Sequence, residues 1–286
     1  PLVGALSAGC TAMLKPSPYV PNVSRVLTDM IRTTFRPEQV AIVEGNRDVN
    51  QMLLHERWDI IFFTGSPSLG KMVMEAAAKH LTPVVLELGG KSPCIIDKDA
   101  DLKVAAKRVA WGKSLNAGQT CIAPDYLLIH EDVKEHFLKR LVKEWRHLLT
   151  KDPQQAKHFV RIVNDKALDR LISYLPIAHS AASNSSSERP LSNSEASISP
   201  SGRPLPNTPS AHFYHGGQYD RTDRYMSPTI LTDVSEDAPV MQEEIFGPIF
   251  PVMIFRHIEE VPQFINQRER PLALYYFGQK GDYVLR

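Results

Sequence analysis

The chain has 286 residues, with 33 Lys plus Arg against 32 Asp plus Glu and a formal net charge of +1. That length suits two domains burying about three-quarters of their unfolded surface, and so even a balance gives nucleic acid no electrostatic footprint and a membrane surface no basic run. Three cysteines, Cys10, Cys94 and Cys121, lie far apart without a CxxC pair, which argues against a disulfide framework or a zinc site and for a reducing compartment, the cytoplasm by default.

In chain order, residues 2–8 read as the end of a buried helix and 11–15 as a short strand ended by Pro16 and Pro18. Residues 22–34 repeat Val23, Val26, Leu27, Met30 and Ile31 at helical spacing. A strand over 40–43 stops at Gly45, a helix occupies 47–56, and a further strand covers 59–63. The turn 64–70 leads into a helix over 71–80. Continuous apolar strands alternating with helices predict an α/β fold whose parallel sheet is covered on both faces. Near Gly89 the rhythm changes, and a boundary there divides a first domain, 1–89, from a second, 90–286.

The second domain is expected to hold a strand over 92–96, a helix over 101–115, a strand over 126–129 and an amphipathic helix over 132–149. Ser, Pro and Asn dominate 179–212. So few apolar residues cannot order such a stretch, which reads as a disordered insertion. Regular structure is expected again at 226–231 and 240–254. No apolar run approaches the roughly 20 residues of a spanning helix. The chain begins inside an apolar run without Met and closes on Tyr283-Val-Leu-Arg286 without an obvious stop. It is expected to be a piece of a longer protein.

Cys121 follows the polar run Asn116-Ala-Gly-Gln-Thr120 at a helix end. An isolated cysteine is commonly a buried structural thiol; a donor-rich turn instead suits the thiolate of a nucleophile. The Cys121 N–H can also hold an oxyanion. Glu87 lies between Leu86 and Leu88 at the end of an apolar strand. It is either a buried carboxylate bonded to backbone N–H groups or a general base with a raised pKa. Thiol and carboxylate together suggest covalent catalysis through a thioester. The run Gly65-Ser66-Pro67-Ser68-Leu69-Gly70 joins strand to helix, where amides and the helix dipole can hold a phosphate. It matches neither GxGxxG nor a P-loop, so an ordinary turn stays open. Taken singly, Lys15 is a strand-end surface lysine and Gln242–Pro248 a capped turn. Ten histidines show no ligand spacing, and no metal is expected.

Together, Leu14-Lys-Pro-Ser17, Phe63-Thr-Gly-Ser66, Leu86-Glu-Leu-Gly-Gly-Lys-Ser-Pro93, Gly118-Gln-Thr-Cys121 and Glu243-Glu-Ile-Phe-Gly-Pro248 resemble the motifs of aldehyde dehydrogenases in order and approximate spacing. The resemblance covers nearly the whole chain outside 179–212, and the runs 74–83, 121–126 and 264–275 are similar to the class 3, fatty- and aromatic-aldehyde branch. It implies a Rossmann-like parallel-sheet cofactor domain, incomplete at its N-terminus, followed by an α/β catalytic domain. The implied reaction oxidises an aldehyde to a carboxylic acid with NAD or NADP. Cys121 would attack the aldehyde to give a thiohemiacetal and then a thioester, and Glu87 would activate the hydrolytic water. Glu244 would hold the nicotinamide ribose, with Phe246 beside the ring. Lys15 would bond the adenine-side ribose, and Gly65, Ser66, Pro67, Ser68, Leu69 and Gly70 would meet the pyrophosphate. Gly45 and Leu88 complete the implied cofactor-binding set. A homodimer is implied for the full-length parent, as is a membrane-anchoring tail beyond Arg286 as the alternative to a cytoplasmic location.

Many members carry Glu three residues after the lysine, bonding both ribose hydroxyls; Pro18 stands there in this chain. Without that charge to repel a 2′-phosphate, NADP⁺ is expected to be accepted as well as NAD⁺. The family's upstream strands, with an asparagine of the oxyanion hole, and its downstream dimerising arm have no counterpart in these residues. Losing one oxyanion donor costs about a hundred- to thousandfold in rate. The alternative expectation is therefore a catalytically silent, truncated paralogue acting as an interaction module.

Overall fold

A computed structural model describes residues 1–176 and 211–279, in two units, Pro1–Leu88 and Gly89–Arg286. The first unit alternates short elements: α1 (Leu2–Ser7), β1 (Ala12–Leu14), α2 (Pro21–Thr34), β2 (Val40–Ile42), α3 (Arg47–His55), β3 (Ile61–Gly65), α4 (Pro67–Ala78) and β4 (Val84–Leu88). Strand β1 pairs in parallel with β2, and β3 with β4. Asn46 caps α3 by accepting from Asp48 N at 3.0 Å. Ser66 caps α4 by accepting from Leu69 N, and Pro67 follows at the first helical position, where its missing N–H is not needed.

Three expectations for this unit are corrected. Helix α1 has no buried residue: it is only six residues long, and its side chains are half-buried or exposed. The sheet is not covered on both faces: β3 and β4 alternate between half-buried and exposed positions, and Phe62 and Val85 face solvent. Turn 64–70 shrinks to its cap, since β3 runs on to Gly65 and α4 starts at Pro67 instead of residue 71. Helix α2 lies where its periodicity places it, yet it buries Ser24 and Thr28 and exposes Val23, Val26, Leu27 and Met30.

The second unit comprises β5 (Pro93–Ile96), α5 (Leu102–Ser114), β6 (Tyr126–His130), α6 (Lys134–Leu149), α7 (Asp165–Ser173), β7 (His212–His215), β8 (Tyr219–Asp220), β9 (Tyr225–Met226), β10 (Thr229–Thr232), α8 (Pro239–Gln242), β11 (Ile249–Phe255), α9 (Glu260–Asn266) and β12 (Tyr275–Phe277). Six of its strands form one sheet in the order β12-β5-β6-β11-β10-β7, parallel except for β7. Every residue of β5, β6 and β10 is buried, which is why these strands show no apolar–polar alternation. Cys94 on β5 is fully buried, and burial pushes its thiol pKa up. Trp145 of α6 donates from Nε1 to Ala110 O of α5 at 3.3 Å and stacks on Phe250 with ring centroids 6.0 Å apart. This joins helices and sheet in one core.

Sequence periodicity does not reveal α7, α8 or α9, which are seven to nine residues long or shorter. The stretch expected at 226–231 is broken at Ser227-Pro228 into β9 and β10, because Pro228 cannot donate to a ladder. The insertion expected at 179–212 falls outside the described residues up to 210; Ala211 is buried and His212 opens β7. Among the described residues no helix is long and apolar enough to cross a membrane.

Candidate active site

The loop that carries Cys121 begins where α5 ends. Asn116 (φ 51°), Ala117 (φ 52°) and Gly118 (φ 73°) are all left-handed, a conformation that costs a residue with a Cβ about 1–2 kcal/mol. Side chains hold the turn. Asn116 Nδ2 donates to Gln119 O at 2.9 Å, and Gln119 Nε2 donates to Asn116 O at 3.0 Å and Arg161 O at 3.1 Å. Gln119 Oε1 in turn accepts from Val163 N at 2.9 Å. Cys121 itself is half-buried. Beyond it, Lys113 Nζ donates to Pro124 O at 2.9 Å and lies 4.6 Å from the Phe250 ring centre. Burial lowers its pKa to about 8 despite the charge of Asp125. The Tyr275 hydroxyl donates to Ile122 O. Burial first, and then the charges of Cys94 and Cys121, push the Tyr275 phenol up.

The second loop, Glu243–Gly247, is gripped from several sides. Lys91 Nζ donates to Val240 O at 2.8 Å, Glu243 O at 3.0 Å and Asp125 Oδ2 at 2.5 Å. Asp125 Oδ1 accepts from Ile245 N at 2.8 Å. Arg170 donates to the carbonyls of Glu244 (3.0 Å) and Ile245 (2.7 Å), and Tyr174 OH donates to Glu243 Oε1 at 2.7 Å. Glu244 lies so close to Gly89 that a Cβ there would overlap its carboxyl, and the Gly90 N–H donates to it. Burial and then the charge of Asp125 raise the Glu244 pKa to about 7, against the Gly90 N–H, Arg170 and Lys91. Phe246 is left-handed (φ 47°) and exposed. The two loops meet at Gly118, where a Cβ would overlap Gly247 O.

The remaining candidates lie in the first unit. Ser66 Oγ and Ser68 Oγ are 3.0 Å apart at the start of α4, and Leu69 beside them is exposed. Gly70 is buried, and a Cβ there would stand 2.8 Å from the Leu88 methyls. Its lack of a side chain lets α4 approach β4. Gly65 is the register partner of Leu88. Lys15, half-buried after β1, donates to Pro16 O at 2.9 Å. Gly45 precedes the α3 cap, where a Cβ would overlap Val49. Glu87 is exposed on β4, which corrects the buried setting expected of it: β4 presents its alternate residues to an uncovered face.

Sequence reasoning missed Lys91, Asp125, Arg170 and Tyr174. Lys91 and Asp125 stood inside quoted motifs, and charged residues among apolar neighbours were the available signal.

The chain matches the model of the aldehyde dehydrogenase family over residues 1–196 and 207–286. It is 41% identical over 286 residues to the 4,4'-diaponeurosporen-aldehyde dehydrogenase of Staphylococcus aureus, covering 100% of this chain and 56% of that protein. It is 42% identical over 284 residues to the dimeric NADP-preferring aldehyde dehydrogenase of Rattus norvegicus, covering 99% and 55%. Human aldehyde dehydrogenase family 3 member B1 is 42% identical over 286 residues, covering 100% and 54%. The chain thus spans about half the length of the curated relatives it matches. A solved structure of the substrate-bound state of Staphylococcus aureus AldH superposes with a TM-score of 0.86 at 40% identity, covering 100% of this chain and 56% of that one.

Proposed function

Because this chain belongs to the aldehyde dehydrogenase family, we propose that it contributes the thiol and the cofactor-facing groups for oxidising an apolar aldehyde to a carboxylic acid with NAD⁺ or NADP⁺. The observation that carries this reading is that half-buried Cys121 follows a left-handed turn whose Gly118 is pressed against Gly247, at the end of the loop of Glu244 and Phe246.

The residues suit a dinucleotide. Glu244 beside the Gly89–Gly90 backbone offers a carboxylate to ribose hydroxyls, and exposed Phe246 offers a ring edge to an aromatic base. The first turn of α4, with Ser66 and Ser68, offers donors and a helix dipole to a pyrophosphate. Gly65, Gly70 and Leu88 shape that turn, Gly45 shapes the start of α3, and Lys15 supplies a donor for the adenine-side ribose. When bound, nicotinamide supplies the hydride acceptor.

In this reading the Cys121 thiolate adds to the aldehyde carbon, and the carbonyl oxygen takes the negative charge, held in part by the Cys121 N–H. Loss of hydride from that carbon leaves a thioester on Sγ. Glu87 takes a proton from water as it adds to the thioester, and cleavage of the S–C bond releases the acid and the thiolate. Exposed Ile122 beside the thiol favours an apolar aldehyde. The setting proposed is a homodimeric parent in the cytoplasm, in keeping with three free thiols.

The test is reduced-nicotinamide absorbance when the chain meets a medium-chain aldehyde with NAD⁺ or NADP⁺, beside Cys121→Ser. Turnover with both cofactors, lost in the serine variant, is the expected result. A folded wild-type chain without turnover would replace this reading with the silent interaction module.

A further inference from the structure

One carboxylate stands between the two loops of the candidate site. Asp125 lies four positions after Cys121 and is buried, with one oxygen on Lys91 Nζ and the other on the Ile245 N–H. Lys91, also buried, spends its other two donors on the carbonyls of Val240 and Glu243. The ammonium therefore satisfies carbonyls within and just beyond α8, while Asp125 satisfies the amide that follows Glu244. Removing either partner leaves the other charge buried and unpaired, which is strongly destabilising. Replacing both removes that problem and leaves only the lost tie. The two roles of the pair, filling the core and holding the loops in register, are thus separable.

We infer that Asp125 is a positioning residue, tying the Cys121 loop to the Glu244–Phe246 loop with Lys91 as its counter-ion. Its consequence for catalysis rests on the dehydrogenase reading; the tie itself does not. The thiol loop is already strained at Asn116 and Ala117 and touches Gly247 through Gly118, so a fixed point on the far side of Cys121 defines where Sγ stands. Glu244 and Phe246 flank Ile245, whose amide that fixed point holds.

The experiment compares Asp125→Ala with the double variant Lys91→Met/Asp125→Ala in the full chain. It reads the melting temperature, the amide exchange of peptides covering 113–126 and 240–250, and the rate of Cys121 alkylation by iodoacetamide. Alkylation is mapped by mass spectrometry because Cys10 is also exposed. The single variant melts lower, and the double variant regains most of the loss. In both, exchange in the two loops rises about tenfold or more while β5 and β6 stay protected, and the Cys121 alkylation rate departs from wild type. If the double variant regains loop protection and wild-type alkylation along with its melting temperature, the pair only fills the core and the proposal is overturned. Exchange that rises in one loop alone overturns it too.

Asp125→Glu covers the case in which the alanine variants do not fold, since it keeps the ion pair and moves the carboxylate by one methylene. Raised exchange in both loops at a near-wild-type melting temperature is expected, and unchanged exchange overturns the tie. Where the wild type oxidises an aldehyde, Asp125→Glu raises the cofactor KM about tenfold with a smaller change in kcat, the size of effect a sub-ångström misplacement produces. A wild type without turnover ends the dehydrogenase reading and leaves the exchange data to decide the tie.

Discussion

Glu244 holds its proton to an unusually high pH. Half-buried beside Asp125, it titrates at about 7, above its ordinary value of 4.5. Between those values the unfolded chain releases this proton while the folded chain keeps it. The folded state thus binds more protons there, and stability falls as pH rises through the window, levelling off above it. Glu244→Gln should flatten that slope between about pH 4.5 and 7 in urea titrations; a slope equal to wild type would place the burden on another group. If the carboxylate accepts ribose hydroxyls, cofactor affinity should climb over the same interval. The turn before Cys121 and the loop of Glu244 could be found from their motifs. Their supports could not, since Lys91 meets Asp125 across 34 positions and carbonyls 149 and 152 positions away, and such pairings leave no local period to read.

At the scale of elements, the turn after α5 decides the geometry. Three successive left-handed residues, two of them with side chains, reverse the chain and bring Gly118 against Gly247. Gly118→Ala meets both a positive φ and a carbonyl oxygen, so it should cost about 2 kcal/mol or more. It should also slow turnover, because the neighbouring loop must give way. Chemical denaturation beside initial rates checks this, and a cost below about 0.5 kcal/mol would show that the turn relaxes freely. Strands β5 and β6 and helices α5 and α6 were readable because their apolar residues face one buried core. The start of α4 was misread because Gly65–Gly70 resembles a loop in composition. Ser66 and Pro67 are instead a cap and a first helical residue.

The whole molecule is uneven in how it shields its backbone. The six-stranded sheet of the second unit is buried along its central strands, whereas β3 and β4 of the first are exposed at alternate positions and α2 turns two valines, a leucine and a methionine outward. Amide exchange should accordingly run slowest in β5, β6 and β11 and faster in β1 to β4, where opening uncovers little additional apolar surface. Equal protection in β3 and β6 would contradict that ranking. The chain divides into Pro1–Leu88 and Gly89–Arg286, and parallel strands occur in each unit. One-sided cover was not legible, because the apolar runs of β3 and β4 carry Phe62 and Val85 on the exposed face as well.

The three thiols also grade the molecule's exposure to oxidants. Cys94, sealed in the sheet with its pKa pushed up by burial, offers almost no thiolate, and the fold depends on its packing. Cys10 is exposed and Cys121 half-buried, so peroxide meets these two first. Sulfenylation at Cys121 would silence the proposed chemistry and leave the core untouched. Under oxidative stress, therefore, this protein would stop working well before it stopped being folded, and a reductant could bring it back.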